Sequence, residues 1–404
     1  MKMNYRKYFL SFVFFLAVFY SFAQNTWQTK APFGGTGRCA AVGFSIGNKG
    51  YIGTGFDVNY QCRNDFWEWD PVSNTWTQKA NYTGTSRGWA TAFSIGTKGY
   101  IMGGCDSANY FWRDLYEYDQ TSNTWTQKAN IPGTYRLGAV AFSIGTKGYV
   151  GTGQDNNGNQ LNDFYEWDQA TDTWTQKSNF GGSPRSYAVA FSIGTKGYIG
   201  TGIDANSTQK DFYEWDQSTD TWTRKADFAG GARQAAAGFS IGAIGYLGTG
   251  TGQHYNYYKD FWAYVPASDS WIQQANFIGT ARWIAIGFST STKGYIGTGY
   301  DQSSGYINTF CQYNPGTVGI ENFSVATNIS VYPNPFTSVV NFEFNDEQKN
   351  ATLKLFDLSG KEIREINFSG TEVVMQREDL ASGIYCYAIV ENDQIINSGK
   401  LEVQ

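Results

Sequence analysis

One stretch recurs along this chain at a nearly constant step, and the recurrence limits the fold more than any other feature. Its fourth copy reads Arg185-Ser186-Tyr187-Ala188-Val189-Ala190-Phe191-Ser192-Ile193-Gly194-Thr195-Lys196-Gly197-Tyr198-Ile199-Gly200-Thr201-Gly202. The tyrosine in the second half of the stretch falls at Tyr51, Tyr100, Tyr149, Tyr198, Tyr246 and Tyr295, in steps of 49, 49, 49, 48 and 49 residues. A unit of this length cannot bury its own apolar face, so successive copies must stack.

Each unit opens with an arginine (Arg38, Arg87, Arg136, Arg185, Arg233, Arg282), and the small, apolar run from there to Phe-Ser reads as a first strand. Its third residue after Arg is always Ala and its fifth is Gly or Ala, so one face stays small, as a crowded axis requires. A Gly-Thr-Lys-Gly turn leads to a second strand, Tyr198–Gly202 in the fourth copy, and a loop of variable sequence follows. Asp211–Asp216 alternates apolar and polar residues as a third strand, and Thr221–Lys225 is the fourth. With 47 glycines and 18% aromatic residues, the chain is expected to be all-β.

Fourth-strand tryptophans stand at Trp27, Trp76, Trp125, Trp174, Trp222 and Trp271. Trp27 precedes the first Arg, while the last unit has Ile320 where its own Trp would stand, so residues 25–30 are expected to supply the missing outer strand of unit six. The unit resembles the kelch repeat over about residues 25–317, with aromatic pairs such as Trp69 with Trp76 and Trp215 with Trp222; only unit two carries the double glycine, Gly103-Gly104, and the others read Thr-Gly. The resemblance implies a six-bladed kelch-type β-propeller, residues 24–317, closed by the N-terminal strand.

Residues 1–23 read as a secretion signal, with Lys2, Arg6 and Lys7 before an apolar run and Ala23 at the cleavage point; no later segment is apolar enough to span a membrane. A linker, 318–328, leads to residues 329–404, where short alternating strands imply a small Ig-like β-sandwich. There Tyr332-Pro333-Asn334-Pro335, Gly360-Lys361, Gly383 with Tyr385, and Gly399-Lys400 occur in an order that resembles the C-terminal sorting domain of the type IX secretion system of Bacteroidetes. That resemblance implies delivery across the outer membrane by the type IX machinery, with the product released or anchored at the surface.

The formal net charge is −5, more negative once the leader is removed, which argues against a nucleic-acid partner. Five cysteines show no metal-ligand spacing; Cys62 and Cys105 occupy equivalent loops, and either a disulfide or free thiols would fit. Gly43-Phe44-Ser45-Ile46-Gly47 and Gly238-Phe239-Ser240-Ile241-Gly242 match a hydrolase elbow in form, but they lie in a repeated hairpin and the chain has one histidine, His254. No catalytic residue, cofactor or metal is expected.

Strand order puts the six arginines and the variable loops at one mouth. Loop aspartates (Asp57, Asp106, Asp155, Asp204, Asp301) and third-strand aspartates (Asp65, Asp114, Asp163, Asp211, Asp260) are both placed to partner them. Unit five has Gly252 in the first series and unit six has Thr309 in the second, which makes Arg233 and Arg282 the candidates for an unpaired, anion-binding Arg, against a purely structural role for all six. Residues just after the Arg vary between units, giving Trp89, Tyr187 and Trp283, and the loops add Tyr110, Trp112 and Tyr257. Such aromatics suit a glycan or protein ligand. The competing expectations are a sugar mutarotase or epimerase acting on an acidic sugar, and a structural surface component.

Overall fold

The computed structural model describes residues 25–315, 329–356, 362–391 and 394–404. The expected leader and linker, and the sorting-motif residues Gly360 and Lys361, lie outside these residues.

Residues 25–315 form six four-stranded antiparallel sheets. The fourth sheet, for example, is Val189–Ile193, Lys196–Gly200, Phe212–Asp216 and Thr221–Lys225, in spatial order as in sequence. The sixth sheet is assembled from both ends of this region: Thr26–Thr29 pairs antiparallel with Phe310–Asn314, Trp27 opposite Tyr313. First strands of consecutive sheets touch one another, and that of the sixth touches that of the first. Together they line a narrow central channel of about 190 Å³ walled by Ala, Gly, Val, Ile and Thr, the small face anticipated from the sequence.

Two contacts explain why the repeat reads as it does. The glycine before each second-strand tyrosine lies under a phenylalanine ring of the preceding sheet: a Cβ at Gly197 would come within 2.1 Å of Phe142, and at Gly50 within 2.4 Å of Phe288, from the sixth sheet. Only glycine permits that approach, and each buried Phe is worth about 1.5–3 kcal/mol. Each fourth-strand tryptophan in turn donates its indole N–H to a carbonyl of the preceding unit at 2.8 to 3.1 Å, as Trp76 does to Ala31 and Trp222 to Ser178.

The first strand begins later than the sequence expectation, which started it directly after the arginine. In sheet one the strand begins at Val42, and Arg38–Cys39 pairs separately with Phe56–Asp57. The cause is the residue two after each Arg, which turns the backbone left-handed: Ala40, Trp89, Gly138, Tyr187, Ala235 and Ile284 have φ between +51° and +60°. Their amides link neighbouring units, Trp89 N–H to the Ala40 carbonyl at 3.0 Å and Tyr187 N–H to that of Gly138 at 2.8 Å.

The C-terminal domain differs from the expected short strands. Val339–Phe356 and Glu362–Gln376 are long, and register shifts between Glu343 and Ala351 let both halves of the pair contribute to a single core containing Phe342, Leu353, Met375 and Tyr387.

Candidate ligand-binding site

The six unit-opening arginines are deeply buried, each exposed by 1% or less. Five fork onto the third-strand aspartate of their own unit, with both oxygens engaged at 2.5 to 2.9 Å: Arg38 on Asp65, Arg87 on Asp114, Arg136 on Asp163, Arg185 on Asp211 and Arg233 on Asp260. Arg233 is therefore not the unpaired arginine that the sequence suggested. The loop aspartates serve their own turns instead: Asp57 accepts from the amides of Asn59 and Gln61, and Asp155 from those of Asn157 and Asn159, so Gly252 in unit five deprives Arg233 of nothing. Burial raises the Asp155 carboxyl, but the bonds from Asn159 and Asn157 outweigh it and hold the group below its ordinary value.

Arg282 differs from the rest. Its Nη1 donates to the Thr309 hydroxyl at 2.9 Å and the Thr298 carbonyl at 3.0 Å, and its Nη2 to the Thr280 hydroxyl at 3.1 Å. Burial with no bonded carboxylate lowers its pKa to about 10. The guanidinium lies 4.7 Å from the Phe277 ring centroid.

The aromatic candidates separate into two groups. Trp89, Tyr187, Trp283 and Tyr257 meet at the centre of the mouth: Tyr187 meets Trp89 edge-on at 4.8 Å, Trp89 meets Trp283 at 6.3 Å, and Tyr257 stacks on Trp283 at 6.0 Å. The Tyr187 ring lies across Gly138, where a Cβ would be 2.7 Å away, and burial pushes its phenol pKa up. Beside this group opens a cleft of about 380 Å³ lined by Cys39, Phe56, Tyr60, Trp89, Tyr257, Trp283, Ile284, Tyr300 and Tyr306. Among the described residues no ionisable group other than tyrosines and Cys39 lines it, and burial raises the Cys39 thiol to about 12, so this lining is neutral. The Trp283 indole N–H is buried with no protein acceptor among the described residues. Tyr110 and Trp112 lie elsewhere, with Phe111 and Tyr135 in a smaller cleft of about 360 Å³, and Trp112 also covers the Arg87 guanidinium at 5.2 Å.

Phe56 and Tyr300 are cleft residues that sequence reasoning missed. Each follows the glycine of the Thr-Gly pair just after its second strand and bridges to the residue after the Arg, Phe56 to Cys39 and Tyr300 to Trp283. That position varies between units (Phe56, Cys105, Gln154, Ile203, Thr251, Tyr300), so comparing units there, as was done after the Arg, would have found them.

The other candidates resolve plainly. All five cysteines are free thiols, and Cys62 Sγ faces the Cys105 carbonyl at 3.6 Å. Ser45 of the elbow-like sequence donates to the Ser289 carbonyl at 2.6 Å, tying two first strands together. In the C-terminal domain Asn334 donates to the Lys400 carbonyl and accepts from the Glu402 amide, both at 2.8 Å, while Tyr332 bonds Glu343 and Tyr385 donates to the Ala381 carbonyl at 2.9 Å. Pro333 and Pro335 flank Asn334, and Gly399 accommodates the Tyr387 ring, so the motifs at the start and end of the domain are joined directly. Gly383 stands at the start of the strand that pairs with Gln394–Val403.

Comparison with known proteins agrees with this division. The solved structure of YjhT superposes with a TM-score of 0.60 at 15% identity, covering 70% of this chain and 96% of that one, a likeness of fold that supports a propeller-like all-β architecture. No curated protein matches the chain. The family model described as a secretion system C-terminal sorting domain matches residues 330–404, which marks the protein as one secreted or held at the cell surface through type IX secretion.

Proposed function

We propose that the six sheets are the blades of a closed, six-bladed kelch-type propeller, which the sorting domain delivers to the cell exterior to bind a glycan through the aromatic cleft at its mouth. The observation that carries this reading is the cleft itself: a recess walled by Tyr257, Trp283, Tyr300 and Tyr306 and lined by no carboxylate, lysine, arginine or histidine among the described residues. Flat rings cover the apolar face of a pyranose, and their polar edges match its hydroxyls. The arrangement of charge favours binding over turnover of an acidic sugar, because five of the six arginines are sealed into carboxylate pairs and the sixth is equally buried. The leaderless protein applied to arrays of glycans and of peptides tests the proposal. Saturable capture by particular glycans is expected; capture by peptides alone, or by neither array, would overturn it.

A further inference from the structure

The arginine sites provide five internal controls for the sixth. Arg185 and Arg282 have closely matching surroundings: each rests on a phenylalanine ring, donates to the carbonyl of the Thr that follows the second strand, and gives one Nη2 N–H to a hydroxyl two residues away, Ser183 or Thr280. The difference in charge between them lies at one residue. Asp211 offers Arg185 two oxygens and a negative charge, whereas Thr309 offers Arg282 one neutral oxygen. The second N–H of Arg282 Nη2, whose counterpart in Arg185 meets Asp211 Oδ2 at 2.8 Å, has no protein acceptor among the described residues. Asp301 accepts from Thr280 at 2.6 Å and from the amides of Ser303 and Ser304, and makes no hydrogen bond to Arg282 among the described residues.

We infer that Arg282 and Thr309 form a binding site for a small monovalent anion, a halide or carboxylate, that takes the place of the missing aspartate. Two features make the site selective and reachable. The guanidinium is 1% exposed, so water alone leaves its charge uncompensated in a poorly polar setting. Thr309 is itself exposed, and the equivalent aspartate side chains retain 11% to 22% exposure, so an anion enters from solvent on the side where those carboxylates stand. The hydroxyl of Thr309 has its own proton to donate once Arg282 has taken its lone pair, which adds a second hydrogen bond to the anion. None of Arg282, Thr280 or Thr309 lines the aromatic cleft, so this site and the glycan proposal stand or fall separately.

Thermal unfolding of the leaderless protein, followed by fluorescence, reads the propeller-like region because all 14 tryptophans lie within it. With ionic strength held constant by replacing gluconate with chloride or formate, the wild type is expected to gain roughly 2–4 °C, saturably. Thr309→Asp, which restores the acid of the other five units, is expected to be more stable in gluconate and to lose the response. Equal responses in wild type and Thr309→Asp would overturn the inference. If that variant does not fold, crystals grown in bromide decide: an anomalous peak within hydrogen-bond reach of Arg282 Nη2 and none at Arg185 supports it, and no peak at Arg282 refutes it.

Discussion

The indole N–H of Trp27 donates to the carbonyl of Ala275 at 3.0 Å, joining residues 248 positions apart. The other five fourth-strand tryptophans make the same bond to the preceding unit, so this one performs for the sixth sheet what Trp271 performs for the fifth. Trp27 also packs edge-on against Phe261 and Phe277 at 4.9 and 5.0 Å.

Trp27→Ala should therefore destabilise the protein by about 3–5 kcal/mol, the cost of removing a buried aromatic. Trp27→Phe, which retains most of the packing and loses the hydrogen bond, should cost about 1 kcal/mol more than the packing change alone. Denaturant unfolding of both beside Trp271→Ala checks this. A cost for Trp27→Ala well below that of Trp271→Ala would mean that the terminal strand is dispensable.

Acid should act through the Arg38–Asp65 pair. Burial raises the Asp65 carboxyl, but the hydrogen bond and charge of Arg38 outweigh it and hold the group below its ordinary value. A carboxyl depressed in the folded state contributes stability that is complete above its unfolded pKa, about 3.9, and is lost as pH falls through the lower folded value. Wild-type Tm should decline as pH drops below about 4. Asp65→Asn should be the less stable protein at neutral pH, and the gap should narrow on acidification; a gap constant from pH 7 to pH 2 would contradict the assignment.

Gly138 offers a cleaner test of the mouth. The equivalent residues in other units are Ala, Trp, Tyr and Ile at similar positive φ, so the backbone alone does not demand glycine there. The Tyr187 ring does, since it occupies the place of a Cβ. Gly138→Ala should cost about 1–3 kcal/mol by overpacking, and most of that cost should vanish in a Tyr187→Ala background. Additive losses in the double mutant would show that the two residues do not meet.

These results mark what the sequence could and could not disclose. The strand pattern and the role of Trp27 were legible because every unit states them again and packing requires the same residue each time. The arginine partners were ambiguous because two aspartate series, represented by Asp57 and Asp65, share the same spacing, and only geometry shows that Asp57 is consumed by its own turn. The break after each Arg was hidden because the left-handed residues at Ala40 and Ile284 include no consistent glycine. The same holds for the Thr-Gly position: Thr54, Thr152, Thr201, Thr249 and Thr298 all adopt a φ of +57° to +62°, a conformation that a β-branched residue seldom shows and that Gly103 adopts freely. Which aromatics converge depended on contacts between units five, six, one and two, beyond the reach of spacing within a unit.

Of the aromatic candidates, Trp283 should matter most to binding. It stacks on Tyr257, meets Tyr255 edge-on at 6.2 Å and lines the cleft beside Tyr300 and Tyr306. Buried aromatic anchors of this kind typically contribute about 2 kcal/mol or more, so Trp283→Ala should weaken binding of a glycan selected on the array by about 30-fold or more. Trp283→Phe keeps a smaller ring and should give an intermediate loss. Tyr110→Ala, in the separate cleft with Phe111 and Tyr135, should change affinity less than about threefold, within the range of a residue outside the contact. Isothermal titration of the three variants settles the ranking: equal losses for Trp283→Ala and Tyr110→Ala would move the site away from the cleft at Tyr257, Tyr300 and Tyr306.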